Sequence, residues 1–154
     1  MADAAGLAIN DICRGLETFA PYDKRLQIET VLGGIKVVND TYNANPASML
    51  AALETVQGLR RGHRSMVVLG DMLELGGESV AAHRFIGSTV ARLDFDLLMS
   101  FGTFAEEMVG AAIEAGMEPS RALALASTEE IITRLRQMAG DGGIGAGEWG
   151  LGEG

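Results

Sequence analysis

The chain has 154 residues, enough for a single core and short for two. Twelve basic residues against 21 acidic ones give a formal charge of −9, which argues against a surface that tracks nucleic-acid phosphates. No apolar run nears the roughly 20 residues that span a membrane, no signal or transit peptide stands at the N-terminus, and the lone Cys13 forms no internal disulfide, so the composition describes a soluble, cytoplasmic domain without a membrane or nucleic-acid partner.

Hydrophobic periodicity gives the elements in order. Ala4 to Leu16 reads as a helix with apolar residues at Leu7, Ile12 and Leu16, and Phe19 to Arg25 as a linker. Leu26 to Leu32 and Ile35 to Asn39 read as two strands around Gly33-Gly34, a two-residue hairpin signal. Pro46 to Leu59 is a helix, and Ser65 to Leu69 a buried strand. Gly77 to Leu93 is a helix, Phe95 to Phe101 a strand, and Thr103 to Ala115 a helix that ends at Gly116. Arg121 to Ala126 is a short strand. Ser127-Thr128-Glu129-Glu130 is a capping box opening a helix to Met138. Strands alternating with helices predict an α/β, Rossmann-like fold: a mainly parallel sheet with helices on both faces, plus one antiparallel strand from the N-terminal hairpin.

Two loops carry the chemistry. The first, Asn39-Asp40-Thr41-Tyr42-Asn43-Ala44-Asn45-Pro46, lies between a strand and a helix. Ligands of open α/β sheets bind outside the carboxyl ends of the strands. Within six positions Asp40, Tyr42, Asn43 and Asn45 offer a carboxylate, a phenol and two carboxamides, a set that suits sugar hydroxyls and a base edge. The same residues also make a turn and a helix N-cap, with Pro46 in the first helical turn. The second loop, Gly70-Asp71-Met72-Leu73-Glu74, follows the Ser65–Leu69 strand, and His83 lies one or two turns into the next helix. Asp71, Glu74 and His83 can bind the ammonium of an amino acid or dipeptide. They can equally hold the loop by capping and hydrogen bonding. The sequence shows no activated nucleophile, no metal-ligand spacing and no phosphate-cradling glycine loop, so the expectation is no catalytic residue and no metal in this chain.

The string Asp40-Thr41-Tyr42-Asn43-Ala44-Asn45-Pro46-Ala47-Ser48-Met49, then Val67-Val68-Leu69-Gly70-Asp71-Met72-Leu73-Glu74-Leu75-Gly76 and His83, resembles the Mur ligases. The resemblance runs from about Gly6 to Gly140 and is to the C-terminal domain of the member that adds D-alanyl-D-alanine to UDP-N-acetylmuramoyl-tripeptide. It implies an ATP-dependent ligase of peptidoglycan precursor synthesis that works through an acyl phosphate. The P-loop and most contacts to ATP and Mg2+ would belong to a central domain absent here, so this chain alone would be inactive. The implied ATP-binding residues are Asp40, Tyr42, Asn43 and Asn45. Asp71, Glu74 and His83 would face the dipeptide or the seam with the chain's own central domain. Residues 1–20 would be a remnant of that domain, followed by a linker to residue 25, and 26–141 the C-terminal domain.

Residues 142–154 depart from the pattern. The resemblance calls for an apolar strand and a Lys-Gly-Ser-Arg motif there, whereas seven of these thirteen residues are glycine, so the tail reads as an appended scar, a sequencing error or a frameshift, with a native tail that lacks this strand as the alternative. Two alternatives stand beside the ligase reading: a stand-alone nucleotide-binding or regulatory α/β module, and a domain of a related Mur or folylpolyglutamate ligase.

Overall fold

The computed structural model describes residues 25–30 and 35–140. The expected N-terminal helix, the domain remnant, the Gly33-Gly34 turn and the glycine-rich tail lie outside the described residues. The order is β1 (Gln27–Thr30), β2 (Lys36–Asn39), α1 (Pro46–Leu59), β3 (Met66–Leu69), a 3-10 turn (Gly76–Glu78), α2 (Ser79–Arg92), β4 (Leu97–Phe101), α3 (Ala105–Glu114), a second 3-10 turn (Pro119–Arg121), β5 (Ala122–Leu125) and α4 (Thr128–Gly140).

β3, β4 and β5 form a parallel sheet in that order, with Val67 opposite Leu98 and Met99 opposite Leu123. Alternation along β4 divides the core in two, because successive strand residues point to opposite faces. Leu98 faces a cluster with Met49 and Leu53 of α1, Ile86 and Val90 of α2, and Met108 and Ala112 of α3. Leu97 and Met99 face Ile131 and Met138 of α4. Three helices therefore cover one face and α4 the other, as the βαβα alternation predicts.

The hairpin behaves differently from the expectation. β1 and β2 pair antiparallel, Ile28 opposite Val38, but form a two-stranded sheet of their own rather than an edge of the parallel sheet. Its strands are four residues each, and Ile28 and Val37 remain exposed.

Helix starts follow local chemistry. The residues read as the first turns of the second and third helices are instead a 3-10 turn before α2 and the Gly102–Phe104 loop before α3. The predicted capping box of α4 is present with a shift: the Glu130 N–H donates to Ser127 Oγ at 3.3 Å, while the Glu130 carboxylate accepts from the Ala126 N–H at 2.8 Å. α2 and α3 approach closely at Gly87, where an added Cβ would lie 1.9 Å from the Met108 carbonyl oxygen.

The amino ends of the parallel strands are tied together. The Asp96 carboxylate accepts from the Ser65 N–H at 2.8 Å. Arg121 Nε and Nη2 donate to the Asp96 and Phe95 carbonyls at 2.7 and 2.8 Å, and Arg60 Nη1 donates to the Asp94 carbonyl at 2.6 Å. Side chains bind backbone at this end, which leaves the opposite, carboxyl end of β3 to the Gly70–Glu74 loop, while the Asp40 loop follows β2 of the separate hairpin.

Candidate functional site

The loop after β2 is shaped by its own side chains. Asn45 is the N-cap of α1: its Oδ1 accepts from the Ser48 N–H at 2.9 Å, and Ser48 Oγ accepts from the Asn45 N–H at 3.2 Å. Asn43 Oδ1 accepts from the Ala44 N–H at 2.9 Å. Asn39 Oδ1 accepts from both the N–H and the hydroxyl of Thr41, at 3.3 and 2.9 Å. Asp40 is half-buried, and its Oδ1 accepts from the Leu26 N–H at 3.0 Å. Tyr42 is 53% exposed, with the Arg25 guanidinium 4.1 Å above the centre of its ring. The carboxamide oxygens of Asn43 and Asn45 thus build the loop, while Asp40, Tyr42 and Arg25 present a carboxylate, an aromatic ring and a cation at its mouth.

The loop after β3 is held from behind. The Asp71 carboxylate accepts from the Thr103 N–H at 2.8 Å and the Phe104 N–H at 3.1 Å, so it caps the start of α3 from across the sheet. Gly102, at φ +112°, makes room for it: a Cβ there would lie 2.6 Å from Asp71 Cγ. His83 has no exposed surface. Its Nε2 accepts from the Met72 N–H at 2.9 Å, and its Nδ1 lies 2.7 Å from the Ser79 carbonyl. A carbonyl only accepts, so Nδ1 carries the hydrogen and the ring is the neutral tautomer. The 3.8 Å approach of Nε2 to Asp71 Oδ1 is therefore a close contact and not an ion pair. Phe104 stacks on the imidazole, with ring centres 4.5 Å apart.

Of the three sequence candidates in this cluster, Asp71 and His83 come together and Glu74 stands apart. Glu74 is exposed and left-handed at φ +62°, beside Leu73 at 75% exposure. Both nitrogens of His83 serve backbone and none of its surface reaches solvent, the loop-holding arrangement that the sequence left open beside a ligand-facing one. Sequence reasoning passed over Arg25 and Leu26, which stood in the linker and at a strand start, and over Gly102 and Phe104. The Phe101-Gly102-Thr103 break after a strand was the one available signal for the last two.

Residues 24–145 match the family model described as Mur ligase, glutamate ligase domain. The chain belongs to the Mur ligase family. The UDP-N-acetylmuramoyl-tripeptide–D-alanyl-D-alanine ligase of Bacillus subtilis (strain 168) is 27% identical over 139 residues, which cover 90% of this chain and 30% of that protein. The ligase of the same name from Mycobacterium tuberculosis (strain ATCC 25618 / H37Rv) is 36% identical over 103 residues, 64% of this chain and 20% of that one. Among solved structures, MurF from Acinetobacter baumannii superposes with a TM-score of 0.75 at 30% identity, covering 92% of this chain and 29% of that one. MurF from Thermotoga maritima in complex with ADP shares the fold, with a TM-score of 0.53 at 21% identity over 83% of this chain and 35% of that one. The chain thus spans about 30% of the Bacillus subtilis relative. Among the described residues no helix is long and apolar enough to cross a membrane, and no group of three or more His, Cys, Asp or Glu side chains could hold a metal ion.

Proposed function

We propose that this chain is the C-terminal domain of a cytoplasmic ligase that joins D-alanyl-D-alanine to UDP-N-acetylmuramoyl-tripeptide at the expense of ATP. The observation that carries the reading is the likeness over nearly the whole chain to MurF at 30% identity, together with a donor and acceptor set at the mouth of the Asp40 loop that suits a nucleoside. In this reading the tripeptide carboxylate attacks the γ-phosphorus of ATP and ADP leaves. The free amine of the dipeptide then attacks the acyl phosphate carbonyl, and phosphate and a proton depart as the amide forms. The Mg2+ and triphosphate chemistry belongs to the part of the relatives that this chain does not span.

Within the chain, the Asp40 carboxylate accepts from ribose hydroxyls, and Tyr42 supplies a flat apolar surface for the base. Asn43 and Asn45 act at one remove, by fixing the loop backbone and the start of α1. Arg25 adds a cation beside the same mouth. The Leu73-Glu74 corner, braced by Asp71 and His83, faces the dipeptide or the seam with the central domain. Closure of the two domains around the reactants excludes water and protects the acyl phosphate from hydrolysis.

The test is phosphate release by the complete ligase carrying this domain, given Mg-ATP and UDP-N-acetylmuramoyl-tripeptide. Turnover should require D-alanyl-D-alanine. Turnover with free glutamate or another single amino acid in its place, and none with the dipeptide, would overturn the assignment.

A further inference from the structure

Leu26 is one of four non-glycine residues among those described with positive φ, at +45°, although β1 begins at the next residue. The last ladder pair is Gln27 opposite Asn39, so Leu26 sits where the hairpin would next pair with Asp40. Closing the hairpin needs no left-handed residue, because an extended one would continue the ladder without strain. The left-handed turn instead accompanies an N–H delivered to Asp40 Oδ1 at 3.0 Å. The preceding residue, Arg25, covers the Tyr42 ring at 4.1 Å. Two consecutive residues thus grip the same loop at positions 40 and 42.

Resting on the reading that Asp40 meets the nucleotide ribose, we propose that Leu26 is a positioning residue for that contact. Its main-chain N–H fixes the orientation of the Asp40 carboxylate. A half-buried carboxylate on a loop otherwise exchanges between rotamers, and the order lost on binding a diol weakens the contact. An ionised carboxylate has about four acceptor positions. One N–H occupies one of them and leaves capacity for both hydroxyls of a cis-diol. Strain held at one backbone position to aim a functional group is the pattern expected at a ligand clamp.

The experiment uses the complete ligase carrying this domain and three variants. Leu26→Pro removes both the N–H and the left-handed φ, and should raise KM for ATP roughly five- to tenfold, towards the value of Asp40→Ala, with kcat at saturating ATP little changed. Leu26→Gly keeps the N–H and relieves the strain, so it should retain the parent KM and melt at a higher temperature. Amide exchange at Ile28 and Val38 reports whether the proline variant keeps its hairpin. Should it lose it, the unmodified enzyme decides: saturating Mg-ATP should slow exchange at the Leu26 amide, and faster exchange would mean that ATP displaces this N–H and would overturn the proposal. A proline variant with an intact hairpin and a parent or lower KM overturns it equally. If Asp40→Ala itself leaves KM for ATP unchanged, the nucleotide reading of Asp40 fails and takes the proposal with it. A raised KM in Asp40→Ala beside a parent value in Leu26→Pro removes Leu26 alone.

Discussion

His83 joins three segments through one ring: the β3 loop by the Met72 N–H, the first turn of α2 by the Ser79 carbonyl, and the start of α3 by stacking on Phe104. Removing it leaves the buried Met72 N–H without its acceptor and opens a void beside Phe104. His83→Ala should therefore destabilise the chain by about 2–4 kcal/mol, read from denaturant unfolding. Unchanged stability, with KM for the dipeptide raised in the complete ligase, would instead make the imidazole a direct substrate contact. Asp71 belongs to the same bracket, and its partners explain why a carboxylate and a glycine thirty-one positions apart depend on each other: any side chain at Gly102 would occupy the space of the carboxylate.

At the scale of elements, α2 and α3 meet at Gly87, where the Met108 carbonyl occupies the space a methyl group would need. Gly87→Ala gains in helix propensity and loses far more in overlap, because packed interiors yield little. The net cost should be about 1–3 kcal/mol, measured as a fall in the unfolding midpoint at constant slope. A neutral or stabilising result would mean that α2 and α3 slide apart freely. The helices and parallel strands were legible in the sequence because the 3.6 and 2.0 residue periods of apolar residues register directly what the sheet must bury. Pro46 marked the start of α1, and Ser127 with Glu130 that of α4. The separate hairpin sheet was not legible, since the alternation in Ile35 to Asn39 does not say which strand lies beside it. In the candidate site, residue types located both loops. They could not divide loop-building residues such as Asn45 from mouth residues such as Asp40, because a carboxamide looks the same in sequence whether its oxygen caps a helix or meets a ligand. Arg25 and Leu26 were silent, their parts being played by a ring contact and a main-chain N–H.

For the whole molecule, the division of labour is spatial. Side chains tie the amino ends of the parallel strands, both chemistry-bearing loops follow strand ends, and, on the function proposed above, the phosphate chemistry belongs to a part of the relatives that this chain does not span. The isolated 154-residue protein should accordingly release no phosphate from Mg-ATP, since its sequence holds no phosphate-cradling glycine loop to stabilise a phosphoryl transition state. Turnover that survives exhaustive repurification would contradict this. The unequal helix cover also matters outside the cell. Among the described residues no strand pairs with the outer edge of β3, and Val68 on that strand is 42% exposed. A short, uncharged strand whose outer amide and carbonyl groups pair with no described strand is a template for another chain. Purified alone, the protein should self-associate as its concentration rises, detectable by light scattering, and Val68→Lys should suppress that without altering the melt. A shelf-life problem at the bench would then trace to four residues, Met66 to Leu69.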